Sequence, residues 1–165
     1  MSNRTAPLPP LSGIAHVIRE MRYHEASRQI LGILLAVLFA YVARPVPWAL
    51  YLTTVIVVIG VAVRMWASGF IMKNEQLATN GPYALVRHPL YTGNILIVYA
   101  FAGASGVWWT FVVATAFFLF YYPTAIEYED RKLSEIFGDA WQAFAKNTPA
   151  LVPAFGKHDR DLGGN

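Results

Sequence analysis

The residue types best suited to chemistry cluster in one short stretch, residues 80–93, with the sequence NGPYALVRHPLYTG. Arg87 offers a planar fork of five donors, which suits a carboxylate or a phosphate. Pro89 biases His88 away from helical backbone angles, so the backbone and ring of His88 can point into a pocket. A helix that starts at Pro89 would place Tyr91 and backbone N–H groups in its first turn, where anions bind. On pattern alone, Arg87 and His88 fit equally well as basic residues that flank a membrane span.

A second group of candidates is acidic and follows the last apolar run of the chain. Glu129 lies four residues before Leu133 and therefore shares its helical face. A carboxylate on this apolar side needs a partner, and a ribose diol or an ammonium group would serve. Glu127 and Asp130 are interpreted as a solvated face that pairs with the basic residues directly after them.

Arg64 is the third candidate, because it is a cation inside an apolar run. Such a residue is a functional candidate by default, and snorkelling of its side chain to the membrane interface is the alternative. The sequence shows no Ser-His-Asp arrangement, no nucleotide phosphate loop and no metal-ligand spacing, so no metal site is predicted. It contains no cysteine, which excludes disulfides and thiolate chemistry.

The composition predicts that these candidates are held by a membrane protein. The chain has 165 residues, of which 56% are hydrophobic and 14% are charged, whereas soluble domains average roughly 25% charged residues. A single domain over residues 1–165 fits this length. The net charge is +3, but the basic residues flank apolar runs and form no stripe with aromatics between them. The expected partners are therefore membrane lipids and not nucleic acid.

The predicted fold class is all-α, a polytopic membrane protein with about four transmembrane helices and additional cytoplasmic amphipathic helices. The first apolar run is short, and a span needs about 20 residues, so this helix must recruit polar flanking residues such as Gln29. The four apolar runs cover residues 30–43, 48–72, 89–105 and 107–126.

The remaining parts of the chain are predicted to lie at the membrane surface. Residues 13–29 have helical spacing of apolar residues, which fits a surface amphipathic helix or, equally well, an extension of the first span. The domain then divides into an N-terminal cytoplasmic segment at 1–28, transmembrane helices at 29–126 with a polar loop at 73–88, interfacial helices at 127–153, and a tail at 154–165.

Two short helices are expected within the C-terminal part, with a break at Gly138 in the C′ position. Asp139 is expected to cap the second helix, and Gln142 completes a capping box.

The distribution of basic residues predicts that both termini are cytoplasmic. In that orientation only Arg44 lies on the outer side, whereas the other basic residues outside the apolar runs face inward. The polar loop and the C-terminal segment then share one face of the membrane and can meet. A bacterial-type inner membrane is the expected location.

Two motifs taken together resemble a known family. GPYALVRHPLYTG at residues 81–93, followed by EDRKLSEIFGDAWQAF at residues 129–144, is similar to the integral-membrane methyltransferases. These are the isoprenylcysteine carboxyl methyltransferase family and the related phospholipid N-methyltransferases. The resemblance covers about residues 64–153 and implies that S-adenosylmethionine binds in a pocket facing the cytoplasm. The residues that the resemblance implies at the cofactor are Glu75, Gln76, Leu77, Ala78, Tyr83, His88, Pro89, Leu90, Tyr91 and Glu129.

The chemistry of this cofactor agrees with the residues. S-adenosylmethionine carries a carboxylate, an ammonium, a ribose and a sulfonium, for which Arg87, Glu129, backbone N–H groups and a tyrosine face are suitable partners. Methyl transfer is an in-line displacement at carbon, and its main demands are alignment and exclusion of water. We therefore predict Arg87, Glu129 and Arg64 as the catalytic residues.

The chain also departs from the family pattern. The carboxyl methyltransferases carry an arginine four residues before the first glutamate, where it engages the substrate, and here that position is Ala125. Arg64 or Arg131 is a candidate to replace it. Trp141 and Phe144 stand where the family has two tyrosines, so bulk is kept and hydroxyl groups are lost.

The leading functional hypothesis is a methyltransferase that acts on an amphipathic acceptor entering from the bilayer, such as a lipid amine, an isoprenoid or a hydrophobic acid. A second hypothesis is an NADPH-dependent membrane reductase of the sterol-reductase type, although that loop typically has an asparagine where this chain has Leu90. A third hypothesis is a non-catalytic membrane subunit whose loop docks a partner. The oligomeric state is left open.

Overall fold

A computed structural model describes residues 12–71 and 76–153 of the chain. All regular structure in these two ranges is helical, which confirms the predicted all-α class. The predicted proline-rich N-terminus, the start of the polar loop at 73–75 with Glu75, and the predicted tail at 154–165 lie outside the described residues. The elements are α1 (Gly13–Tyr23), α2 (Glu25–Val42), α3 (Pro47–Ser68), a 3-10 turn (Gly81–Ala84), α4 (Pro89–Ala104), α5 (Trp109–Phe137) and α6 (Asp139–Asn147).

Two of these helices, α3 and α5, are long and apolar enough to cross a membrane, and α2 and α4 are shorter apolar helices. The burial pattern of α3 is the reverse of that in a soluble core. Its buried residues are Thr53, Gly60 and Ala67, whereas large side chains such as Tyr51 and Met65 are exposed. Only 11% of the most apolar stretch of α3 is buried. Small residues at the helix contact and large apolar residues on the outside are typical of helices packed in lipid.

Helices α3 and α4 approach each other closely at two glycines. A Cβ atom added at Gly60 would lie 2.8 Å from Cγ1 of Ile97 and 3.0 Å from the carbonyl oxygen of Gly93. A Cβ atom at Gly93 would lie 2.8 Å from the carbonyl oxygen of Gly60. The two backbones are therefore in contact, and this contact fixes the position of α3 along the axis of α4.

The hydrophobic core lies where α5 packs against α2 and α4. Aromatic side chains dominate it, and the rings of Phe118 and Tyr122 meet edge to face at 4.7 Å. This packing holds α5 in register with α4, so that the last turns of α5 reach the loop before α4. The core residues are Leu35, Phe39, Ala102, Ala114, Phe117, Phe118, Tyr121 and Tyr122.

The N-terminal region resolves one of the open alternatives. Helix α1 ends at Tyr23, and His24 has extended backbone angles (φ −83°, ψ 121°) before α2 begins. Residues 13–23 are therefore a separate helix, whereas residues 25–29 belong to α2 and extend the first apolar helix. The apolar side chains of α1, among them Ile14 and Val17, are exposed.

The C-terminal region differs from the prediction in two ways. The predicted helix after residue 126 is not separate, because α5 runs without interruption for 29 residues. Its length is about 44 Å, which exceeds a hydrocarbon core of about 30 Å. The change in polarity at residue 127 does not break the helix, since charged residues are good helix formers.

The predicted break at Gly138 is confirmed, with φ 53°. The predicted capping box is wrong, because Gly138 itself is the N-cap, Asp139 is the first residue of α6 and no side-chain cap forms.

Candidate functional site

The Arg87–His88–Pro89 element is held in place by the end of the chain. Helix α4 begins at Pro89, and His88 before it has non-helical angles (φ −125°, ψ 62°), as the sequence predicts. The backbone N–H groups of Arg87 and His88 donate to the carbonyl oxygens of Pro149 (2.8 Å) and Ala150 (3.0 Å). We call residues 149–151 the docked segment. These two bonds fix the direction in which both side chains leave the backbone.

A third bond to the docked segment comes from α4, where the Thr92 hydroxyl donates to the carbonyl oxygen of Leu151 at 2.8 Å. Sequence reasoning missed this contact. Its acceptors are backbone carbonyls, which every residue type provides, so the segment carries no recognisable motif.

His88 lies between two acidic residues of α5. It is only 3% exposed, with Nε2 at 2.8 Å from Oδ1 of Asp130 and Nδ1 at 3.5 Å from Oε2 of Glu129. The other oxygen of Asp130 accepts a hydrogen bond from Nη1 of Arg87 at 3.0 Å. The arginine–histidine element and the acidic stretch, which are distant in sequence, therefore meet as predicted. We call Arg87, His88, Glu129 and Asp130 the charged quartet.

The role predicted for Asp130 is wrong. The sequence pattern predicts a solvated position for it, yet it bridges Arg87 and His88. The sequence could not show this, because the direction of a polar face does not reveal which loop packs on it. The same interpretation is correct for Glu127, which pairs with Arg131 at 3.5 Å on the exposed side.

The quartet favours a charged imidazole. Burial alone would lower the pKa of His88, but hydrogen bonds to Asp130 and Glu129, together with their negative charges, raise it above its ordinary value. With His88 protonated, two cations face two anions. The charge of Arg87 is thus already matched by the protein, although its buried Nε has no hydrogen-bond partner within the described part of the chain.

Aromatic rings surround the quartet on several sides. Tyr91 stacks on His88 with ring centroids 5.5 Å apart and lies 5.1 Å from Tyr122. The guanidinium of Arg87 sits over the ring of Trp141 at 5.7 Å. The tryptophan that replaces a family tyrosine therefore packs on the arginine, a contact that needs a ring face and not a hydroxyl group.

Tyr83 approaches from the 3-10 turn. Burial, and secondarily the negative charge of Glu129, raises the pKa of Tyr83 to about 12. This hydroxyl is therefore a neutral hydrogen-bonding group at physiological pH.

With the exception of Asp130, these side chains face one cavity of about 1010 Å³. Most of the residues that the resemblance implies at the cofactor line the polar part of this cavity. Among the described residues Pro89 is the exception, because it is buried and serves to start α4. The predicted catalytic residues Arg87, Glu129 and Arg64 also line the cavity. The predicted cofactor residues found in the lining are Gln76, Leu77, Ala78, Tyr83, His88, Leu90, Tyr91 and Glu129.

The cavity continues from the polar part into an apolar part between α2, α4 and α5. We call the region where the two parts meet the junction, and it is lined by Arg28, Arg64, Asn94 and Tyr122. Of these four residues, only Arg64 is predicted as a site residue from the sequence. Asn94 could have been found, since it is an amide within an apolar helix. The apolar part is lined by Gly32, Ile33, Ala36, Ile97, Val98, Phe101 and Phe117.

Arg64 turns inward to α4. Its Nη1 donates to Oδ1 of Asn94 and to the carbonyl oxygen of Leu90 at 3.3 Å. The other proposed substitute, Arg131, is paired with Glu127 on the exposed side of α5. Of the two, Arg64 is thus the arginine in the cavity. Within residues 12–71 and 76–153, no group of three or more histidine or acidic side chains could hold a metal ion.

Comparison with known proteins gives a consistent family signal. A family model described as phospholipid methyltransferase matches residues 27–140. The cobalt-zinc-cadmium resistance protein CzcN of Cupriavidus metallidurans is 35% identical over 128 residues, which cover 73% of this chain and 58% of that protein. The nickel-cobalt-cadmium resistance protein NccN of Alcaligenes xylosoxydans xylosoxydans is 38% identical over 93 residues, which cover 54% of this chain and 43% of that protein.

The chain therefore spans about half the length of these curated relatives. No solved structure matches it significantly. The matched region of the family model begins in α2 and ends just after Gly138, so it contains the charged quartet and the junction.

Proposed function

The chain belongs to the phospholipid methyltransferase family, and we propose that it uses S-adenosylmethionine to methylate a lipid-like or hydrophobic acceptor at the cytoplasmic face of a membrane. The observation that carries this proposal is the shape of the cavity. One continuous space joins Arg87, His88 and Glu129 of the charged quartet to an apolar part between helices. A polar nucleotide and an amphipathic acceptor can therefore meet inside the protein.

The residues present fit S-adenosylmethionine. The cavity of about 1010 Å³ is at the upper end of ordinary ligand sites of about 300–1000 Å³. The side chain of Glu129 is 45% exposed. Of the about four acceptor positions of a carboxylate, it uses those toward His88 and Tyr91. That leaves carboxylate capacity for a ribose diol or an ammonium group. The buried Nε of Arg87 is a free donor among the described residues.

The chemistry that the cofactor supplies is an electrophilic methyl group, whose carbon–sulfur bond breaks with its electron pair left on sulfur as the acceptor lone pair forms the new bond. The protein must then align the two reactants and exclude water. Hydrogen bonds from the docked segment hold Arg87 and His88 rigidly. The ring of Tyr91 lies between His88 and Tyr122, at the boundary of the two parts of the cavity. These contacts serve alignment.

We place four helices across the membrane, with both termini in the cytoplasm of a bacterial cell. Helices α3 and α5 meet the length requirement. Helices α2 and α4 have 18 and 16 residues, or about 27 and 24 Å, and would span a slightly thinned bilayer. The support for this arrangement is that large apolar side chains of α2, such as Leu34 and Val37, face outward as those of α3 do.

The test is ligand-induced stabilisation of the detergent-purified protein. S-adenosylhomocysteine at 100 times its dissociation constant should raise the free energy of unfolding by ~2.7 kcal/mol, whereas NADPH should have no effect. The Glu129→Ala variant should lose the response. Glu127→Ala is the matched control, because it removes an exposed carboxylate from the same helix. Stabilisation by NADPH would favour the reductase, and a response retained in Glu129→Ala would refute the site.

A further inference from the structure

We propose that Arg64 and Asn94 form an oxyanion site for the acceptor, at the junction between the polar and the apolar part of the cavity. The acceptor is then an anionic amphiphile whose head group binds this pair. The inference rests on the proposed function, because it names the class of molecule that is methylated.

The first observation is the route that the Arg64 side chain takes. Its stem crosses α4 at Gly93, where an added Cβ atom would lie 2.6 Å from Cγ and 3.4 Å from Cδ of Arg64. The guanidinium is then bonded to Asn94 and to the carbonyl oxygen of Leu90. A larger residue at position 93 would block this path. Gly93 therefore positions Arg64, and the guanidinium is held at a defined place in the cavity wall.

The second observation is the charge of its partners. The groups that bond Arg64 within the described residues are an amide and a carbonyl, both neutral. By contrast, Arg87 pairs with Asp130 and Arg131 pairs with Glu127. A guanidinium that lies partly out of water is costly unless an anion compensates it.

The whole lining shows the same imbalance. Arg28, Arg64 and Lys132 line the cavity in addition to Arg87, whose charge Asp130 balances, whereas Glu129 is the one carboxylate in its described lining. Glu129 is already next to His88. Arg28 lies 5.5 Å above the ring of Tyr91, and Arg28, Arg64 and Tyr122 line the junction together. The junction is therefore a positively charged region.

The third observation is the stripe that continues from Asn94. Ile97, Val98 and Phe101 follow it at intervals of three, four and seven residues, so all four share one face of α4, and all four line the cavity. From Asn94 to Phe101 the helix rises about 10 Å. A ligand with a polar head at Asn94 can thus lay an apolar tail along this stripe.

The sign of the charge selects the head group. An ammonium at the junction would face Arg28 and Arg64 and be repelled, whereas a carboxylate or a phosphate oxyanion would pair with the guanidinium in a charge-assisted hydrogen bond. If the oxyanion is a carboxylate, its own oxygen lone pair forms the bond to the methyl carbon, and an ester and a neutral thioether result without loss of a proton. If it is a phosphate, it anchors a lipid whose amine is methylated after giving up a proton to solvent.

The experiment compares head groups on a constant tail. Dodecanoate, dodecyl phosphate and dodecylamine are titrated into the protein in a neutral detergent. We expect at least one of the two anions to bind ten or more times more tightly than the amine. Tighter binding of dodecanoate identifies a carboxylate acceptor, and tighter binding of dodecyl phosphate identifies a phosphate anchor. Equal or tighter binding of dodecylamine overturns the proposal without any variant.

Variants then locate the site. Arg64→Met keeps the apolar stem and should lose the preference for the anion at least tenfold, whereas Arg44→Gln removes an exposed charge far from the cavity and should change nothing. A preference retained in Arg64→Met overturns the assignment. The response to S-adenosylhomocysteine should survive in Arg64→Met, which shows that the variant is folded. A protein that discriminates anions but never responds to S-adenosylhomocysteine would refute the proposed function and leave the oxyanion site standing.

Discussion

The polar part of the cavity and its junction hold their arginines in different ways. In the polar part, Arg87 and His88 face Glu129 and Asp130 at short distances, so charge is balanced within the protein. At the junction, Arg64 is bonded to neutral oxygens of α4. A charge-balanced group of side chains needs no ligand and fixes the geometry of the site. An arginine without an acidic partner can instead pair with an anionic ligand. The comparison predicts that removing charge harms stability in the polar part and ligand selection at the junction.

The largest effect is expected when the quartet loses its bridging acid. Asp130→Asn keeps the shape but leaves Arg87 and His88 with a neutral partner in a largely buried place. We expect the free energy of unfolding to fall by about 2–3 kcal/mol, measured by denaturant or thermal unfolding in detergent. Glu127→Gln on the exposed side of the same helix should cost less than about 1 kcal/mol. Equal losses in the two variants would remove the distinction between the quartet and a surface pair.

A smaller effect is expected at the crossing of α3 and α4. Gly93→Ala puts a methyl group against the stem of Arg64 and the carbonyl oxygen of Gly60, which should cost about 1–2 kcal/mol and weaken anion binding several-fold. Gly69→Ala is the control, because Gly69 lies outside the cavity lining and its Cβ atom would meet only the carbonyl oxygens of Trp66 and Met65 at an ordinary 3.5 and 3.9 Å. Unfolding curves and titration with dodecanoate and dodecyl phosphate measure both quantities. Unchanged binding of the anions in Gly93→Ala would show that Gly93 does not position Arg64.

The smallest effect is expected in the pH dependence of stability. Because the pKa of His88 is raised in the folded protein above its ordinary 6.5, the folded state binds a proton more tightly than the unfolded state does. This contribution is fully present below about pH 6.5 and is lost as the pH rises through the raised value. Unfolding measured from pH 6 to 9 should show a decline that is absent in His88→Gln. Identical slopes would mean that His88 is not held as a cation.

The sequence allowed the all-α class, the start of α4 at Pro89 and the break at Gly138 to be predicted, because each depends on local backbone preferences. It also allowed the meeting of the loop and the acidic stretch to be predicted, since the family resemblance joins two distant motifs. The bridging role of Asp130 depends on which loop packs on α5, and no local pattern encodes that. The hydrogen-bond partners of Arg64 likewise depend on the position of α3 along the axis of α4, which no local pattern encodes.

The docked segment has a consequence for how this chain can vary. It holds Arg87, His88 and Thr92 through its own carbonyl oxygens, so the identity of its side chains has little influence on these bonds. The number of residues between α6 and this segment, however, sets which oxygen meets which donor. The residue types at positions 149–151 can therefore vary without loss of these bonds. Insertion or deletion of a single residue there would instead displace the carbonyl oxygens from all three donors.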